Sequence, residues 1–89
     1  MLVLKNFKFT PEAYSDYLMF KKQEPKLAER IKQLIQDILQ HPFNGLGKPE
    51  PLKYHLSGCW SRRINSIHRL VYRIEQEELQ IVSCRYHYK

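Results

Sequence analysis

The sequence predicts an α+β domain: an N-terminal strand and a two-helix hairpin packed on one face of a small, mainly antiparallel β-sheet whose opposite face is basic. Three observations carry that expectation. An apolar stripe at helical spacing runs between Pro25 and Pro42; a proline- and glycine-rich break follows it; and three strand-like runs separated by short polar turns complete the chain. Eighty-nine residues, 43% of them hydrophobic, are enough for one core and too few for two, so residues 1–89 are expected to form a single domain.

Taken in order, residues 2–6 open with an apolar block that reads as a first strand. The segment "MLVLKNFKF" is too short in its apolar part for a signal peptide, and no run approaches the roughly 20 apolar residues that span a bilayer. "FTPEAYSDYLMFKK" starts a helix, with Thr10 as N-cap and Pro11 at the first helical position, where a missing N–H costs nothing. Tyr14, Tyr17, Leu18 and Lys21 follow at helical spacing. After Gln23–Pro25 a second helix places Leu27, Ile31, Leu34, Ile35 and Ile38 on one stripe, with Lys, Glu, Arg and Gln opposite, and stops before Pro42. "HPFNGLGKPEPLK" reads as loop. Then "CWSRRI", "HRLVYRI" and "LQIVSCRYHY" form a meander, turning around Asn65–Ser66 and Glu75–Glu78.

Alternation assigns the strand faces. Leu70, Tyr72 and Ile74 should face the helices, with Val82, Cys84 and Tyr86 beside them. Arg69, Arg85 and His87 then share the other face. Trp60 and Ile64 join the core, which sends Ser61 and Arg63 to the basic face. Arg62 has the parity of Trp60 and is the misfit, expected at an edge or a bulge.

Charge and motifs narrow the chemistry. Fifteen Lys and Arg against nine Asp and Glu give +6, which favours a polyanionic partner, nucleic acid or an acidic protein. Cys59 and Cys84 have no C-x-x-C spacing, which argues against a disulfide scaffold or zinc site and for a reducing, cytoplasmic setting. The four histidines lack metal-ligand spacing, no serine has a G-x-S-x-G context, and "NGLGKPE" is not a phosphate loop. No cofactor is expected. Acid–base chemistry on a phosphodiester remains: a base for the 2′-OH, cations for the phosphorane, an acid for the departing 5′-oxygen. His87 suits the acid, Arg63, Arg69 and Arg85 the cations, and Glu50, between two prolines and near Lys48 and Lys53, the base. On pattern alone, an ordinary solvated sheet face with a lysine-paired loop glutamate explains the same residues.

The combination "GKPEPLK", "LSGCWSRRI", "HRLVY" and a terminal "CRYHY", with "FTPEAYSDY" in the first helix, is similar to the YoeB toxins of the RelE/ParE superfamily over most of the chain. The resemblance implies a type II toxin, a ribosome-dependent mRNA endonuclease that cuts the A-site codon without a metal. It implies as partners the 70S ribosome carrying mRNA and a cognate acidic, YefM-like antitoxin, with operator DNA bound only through the toxin–antitoxin complex and no membrane. It assigns Glu50 as general base, His87 as general acid, Arg69 as stabiliser of the cleaved phosphate, Lys53 and Arg63 as phosphate or ribosomal RNA contacts, and Tyr88 as the residue that positions or stacks on a base. Lys89 departs from the family, whose chains commonly stop at the tyrosine. Two other readings stay open from the residues: a ParE-like poison of DNA gyrase, and a non-enzymatic basic module that binds RNA by charge alone.

Overall fold

The strongest periodic segment of the chain organises the structure, a computed structural model that describes residues 4–85. Helix α2 (Pro25–Gln40) buries Ile31, Leu34, Ile35 and Ile38 at 3% exposure or less, as its stripe predicts. Each such side chain contributes about 1.5–3 kcal/mol relative to leaving it in water. Helix α1 (Pro11–Gln23) precedes it. Thr10 Oγ1 accepts from the Ala13 amide at 3.2 Å and donates to Val82 O at 3.0 Å, so the cap also fastens the helix to the sheet. The buried face of α1 is Ala13 and Phe20, while Tyr14 and Leu18 lie about half exposed. The apolar spacing of Tyr14 and Leu18 is real, but it points largely to solvent.

The sheet has five strands in the order β1-β5-β4-β3-β2: β1 (Phe7–Phe9), β2 (Glu50–Pro51), β3 (Trp60–Arg63), β4 (Arg69–Glu75) and β5 (Glu78–Ser83). Strand β1 runs parallel to β5 and the remaining pairs are antiparallel. Three details correct the sequence reading. Pairing at the N-terminus falls on Phe7–Phe9, not on residues 4–6, because Phe-Lys-Phe alternates and stacks Phe9 on Tyr17 of α1 at 5.3 Å; residues 2 and 3 lie outside the described residues. Glu50–Pro51 is a short edge strand within the expected loop. The β4–β5 register shifts between Val71↔Ser83 and Tyr72↔Ile81, leaving Val82 as the extra residue of a bulge.

That bulge decides the faces. Leu79, Ile81 and Cys84 all reach the main core with Leu70 and Tyr72, and Val82 turns to the other side. The face away from the helices is therefore not bare. It carries a small apolar cluster of Leu52, Cys59 and Val71, flanked by Leu56 and Val82. Among the described residues no helix is long and apolar enough to cross a membrane.

Candidate active site

Glu50 is held by the segment before it, and that segment is held by Arg62. Far from lying at an edge or bulge, Arg62 is fully buried on the helix-facing side. All five of its N–H donors are used. Nε donates to Tyr72 Oη at 3.2 Å, Nη1 to Asp37 Oδ2 and to Leu46 O at 3.1 Å, and Nη2 to His41 O and to Asn44 O at 2.9 Å. Tyr72 Oη in turn donates to Pro42 O at 2.7 Å. Asp37 also accepts from the Leu46 amide at 3.0 Å. Burial opposes ionisation of Asp37, yet the Leu46 amide and the Arg62 guanidinium together hold its carboxyl below the usual range. A charge that would be expensive to bury alone is thus satisfied by loop carbonyls that have few other partners.

The loop glycines make the approach possible. A side chain at Gly45 (φ +112°) would collide with the Asp37 carboxylate. At Gly47 (φ +80°) it would crowd Leu34 and come within 3.1 Å of Arg63 O, where the Gly47 carbonyl accepts the Arg63 amide at 2.7 Å. The "NGLG" of the sequence is a docking stretch that brings Lys48, Pro49 and Glu50 alongside β3.

Register then fixes the site. Glu50 pairs with Ser61 and Ser61 with Val71, which places Glu50 on the face away from the helices. On that same face Arg63 stands directly opposite Arg69. Glu50 and Arg63 are diagonal neighbours, about 7–8 Å apart along the pleat. Two like charges directly across a strand pair are destabilising, so Arg63↔Arg69 calls for an anion. Arg69 is partly fixed, its Nη1 donating to Asn65 O at 3.3 Å. The turn beneath it is shaped by Asn65 Oδ1, which accepts from the Ile67 and His68 amides at 2.9 and 2.7 Å. Glu50, Lys53 and Arg63 make no ion pair or side-chain hydrogen bond with any described residue, so the lysine-paired reading of Glu50 has no support here.

Of the residues singled out in the sequence, the structure brings Glu50, Arg63 and Arg69 onto one face, with Lys53 exposed two residues beyond β2. Arg85 is exposed beyond the end of β5, close enough to Asp16 of α1 to act on its carboxyl, whose pKa burial raises overall. His87 and Tyr88 lie outside the described residues, as do Tyr86 and Lys89. Two residues escaped the sequence reading. Arg62 had a signal, its wrong parity, but nothing local names its acceptors. Tyr54, exposed at a positive φ in the loop after Glu50, had none. The cysteines are free, buried thiols: burial pushes Cys59 up, and burial followed by nearby Asp16 pushes Cys84 up to about 12. Among the described residues no group of three or more His, Cys, Asp or Glu stands together as a metal site would require.

A family model described as a YoeB-like toxin of bacterial type II toxin-antitoxin systems matches residues 9–88. The chain belongs to the YoeB family. The family falls within the RelE/ParE toxins, its typical activity is ribosome-dependent cleavage of mRNA, and membership makes the chain an endoribonuclease. It is 57% identical to Toxin YoeB of Synechocystis over 81 residues, 91% of this chain and 94% of the relative. A YoeB/ParE toxin from Agrobacterium tumefaciens superposes with a TM-score of 0.92 at 40% identity, covering 94% of this chain and all of that one. The toxin of a YoeB–YefM complex from Staphylococcus aureus follows at 0.87 and 43%, covering 93% and 97%.

Proposed function

We propose that this YoeB-family chain cuts mRNA in the ribosomal A-site codon, with Glu50 as general base, Arg63 and Arg69 as the phosphorane clamp, and His87 as general acid. The carrying observation is a carboxylate set diagonally across the sheet from an arginine pair, none of the three with an ion-pair partner among the described residues. Glu50 removes the 2′-OH proton; the 2′-oxygen attacks phosphorus; the phosphorane charge spreads onto the guanidiniums, whose fork matches two oxygens. His87 gives its proton to the departing 5′-oxygen, leaving a 2′,3′-cyclic phosphate. Tyr88 positions the base at the cut, while Lys53 and Arg85 hold flanking phosphates. The roles of His87 and Tyr88 rest on the "CRYHY" resemblance, and that of Arg85 on the strand alternation read from the sequence.

Ribosomes programmed with end-labelled mRNA and a filled P site test this reading. Wild type should cut the A-site codon and leave a cyclic or 3′-phosphate end, and Glu50→Gln and His87→Gln should each slow cutting by roughly 10²–10⁴-fold. A 3′-hydroxyl end, or full activity of either variant, would overturn the assignment. The partner expected from the same reading is an acidic antitoxin, supported by the charge of +6 and by the Staphylococcus aureus relative's complex with YefM. Operator DNA would be bound only through that complex.

A further inference from the structure

Tyr54 joins two features that rarely coincide in a loop tyrosine. It is 88% exposed, more than any other exposed large hydrophobic residue described, and its φ of +60° is left-handed, an outlier for a bulky side chain. The loop around it is tied by four backbone hydrogen bonds. Leu52 N donates to Cys59 O at 2.9 Å, Leu56 N to Lys53 O at 3.2 Å, Ser57 N to Tyr54 O at 3.0 Å, and Cys59 N to Leu56 O at 2.9 Å. Leu52, Leu56 and Cys59 seat the loop in the small apolar cluster on the Glu50 face. Between those anchors Lys53, Tyr54 and His55 all face solvent. Tyr54 forms no ring contact or side-chain hydrogen bond with a described residue that would compensate for its backbone conformation. Four residues of chain, at most about 14 Å, separate it from Glu50. Strain held rigidly beside a reactive group is characteristic of functional positions.

We propose that Tyr54 is a stacking platform for an unpaired nucleobase of RNA, with Lys53 beside it on the adjoining phosphate. The inference rests on the nuclease reading above and adds a binding residue to it. An exposed ring next to a cation is the chemistry by which proteins hold single-stranded RNA: the ring takes the face of any base, and the charge tracks the backbone. The base belongs either to the mRNA next to the cut or to ribosomal RNA lining the A site, and both offer the same face.

The test compares wild type with Tyr54→Gly, Tyr54→Ala and Tyr54→Phe on programmed ribosomes carrying a panel of A-site codons, with the unfolding midpoint of each protein measured alongside. Glycine accepts the φ of +60° without strain. Tyr54→Gly should therefore unfold at or above the wild-type midpoint while its KM rises roughly tenfold, the scale of one lost base–aromatic stack, with kcat little changed. Tyr54→Ala should raise KM equally, and Tyr54→Phe, which keeps the ring, should recover most of the affinity. A rise that depends on the codon assigns the base to mRNA; a uniform rise assigns it to ribosomal RNA. Wild-type cutting with an unchanged KM in folded Tyr54→Gly overturns this proposal alone, as does Tyr54→Phe as impaired as Tyr54→Ala. A wild type that does not cut overturns the nuclease reading and this proposal together.

Discussion

Asp37 holds in place the loop that leads to Glu50. Its carboxylate is the counter-charge of a fully buried guanidinium and an acceptor for the loop that delivers Glu50. Asp37→Ala would leave Arg62 buried with carbonyls and a phenol but no anion. The expected loss is about 3 kcal/mol by chemical denaturation at neutral pH, at the lower end for breaking a buried pair because Asp37 itself is partly solvated. The acid dependence follows from the direction of its pKa. Because the folded state holds Asp37 below its ordinary value of 3.8, its contribution is fully present above that value and fades as pH falls through the lower, folded one. The stability gap between wild type and Asp37→Asn should accordingly be constant from pH 7 to about 5 and narrow below pH 4. A gap that stays open into acid would mean that the carboxylate's charge is not what Arg62 requires.

At the level of elements, the legible parts of the chain were those set by neighbours in sequence. The stripe of α2, the Thr10–Pro11 start of α1 and the two hairpin turns need only local spacing and cap chemistry, and all stand where expected. The face of Arg63 and Arg69 was legible too, because β3 and β4 pair without interruption. The bulge at Val82 was not. Leu79-Gln80-Ile81 keeps one phase and Val82-Ser83-Cys84 the other, so the sequence holds a slip, but with Ile81 and Val82 both apolar nothing local shows which of them is the extra residue. The burial of Arg62 was hidden for a different reason: four of its five hydrogen bonds go to residues 37–46 and the fifth to Tyr72, and the arrival of that loop depends on tertiary docking. The β4–β5 turn offers an element-scale prediction. Gln76 (φ +52°) and Glu77 (φ +63°) both occupy the left-handed region, as the tight hairpin turn whose strands twist correctly requires, but neither is a residue suited to it. The double variant Gln76→Asn/Glu77→Gly should relieve that strain and stabilise the protein by about 1 kcal/mol. For a domain of this size the midpoint of thermal unfolding would rise by roughly 4–8 °C. An unchanged or lowered midpoint would show that the turn's own side chains compensate for its backbone.

Charge at the scale of the whole molecule is distributed to match its fold. The helices screen one side of the sheet, and the other presents Arg63, Arg69 and Arg73 with Glu50 among them, while exposed Lys53 follows β2. Arg73 is already engaged, its Nε donating to Gln80 Oε1 at 2.9 Å and lying 3.6 Å from Glu75. Lys53, Arg63 and Arg69 make no ion pair with a described residue, Arg69 donating to the neutral Asn65 carbonyl, and in the proposed reading these three meet phosphates. Each phosphate neutralised on a single strand releases about 0.7 of a counterion, so the three contacts on this face should give a slope of log affinity against log salt near −2, and a fourth at Arg85 would steepen it to about −3. Binding of the Glu50→Gln protein to programmed ribosomes, titrated from low to high salt, measures that slope without cleavage intervening. Lys53→Ala in the same background should weaken binding at every A-site codon alike and make the slope shallower by about 0.7–1, since a phosphate contact positions RNA and reads no base. A slope near zero would mean that the basic face is not what meets the RNA. An unchanged slope in the Lys53→Ala protein would confine the electrostatic contact to Arg63 and Arg69, at the centre of the sheet rather than along the loop that carries Tyr54.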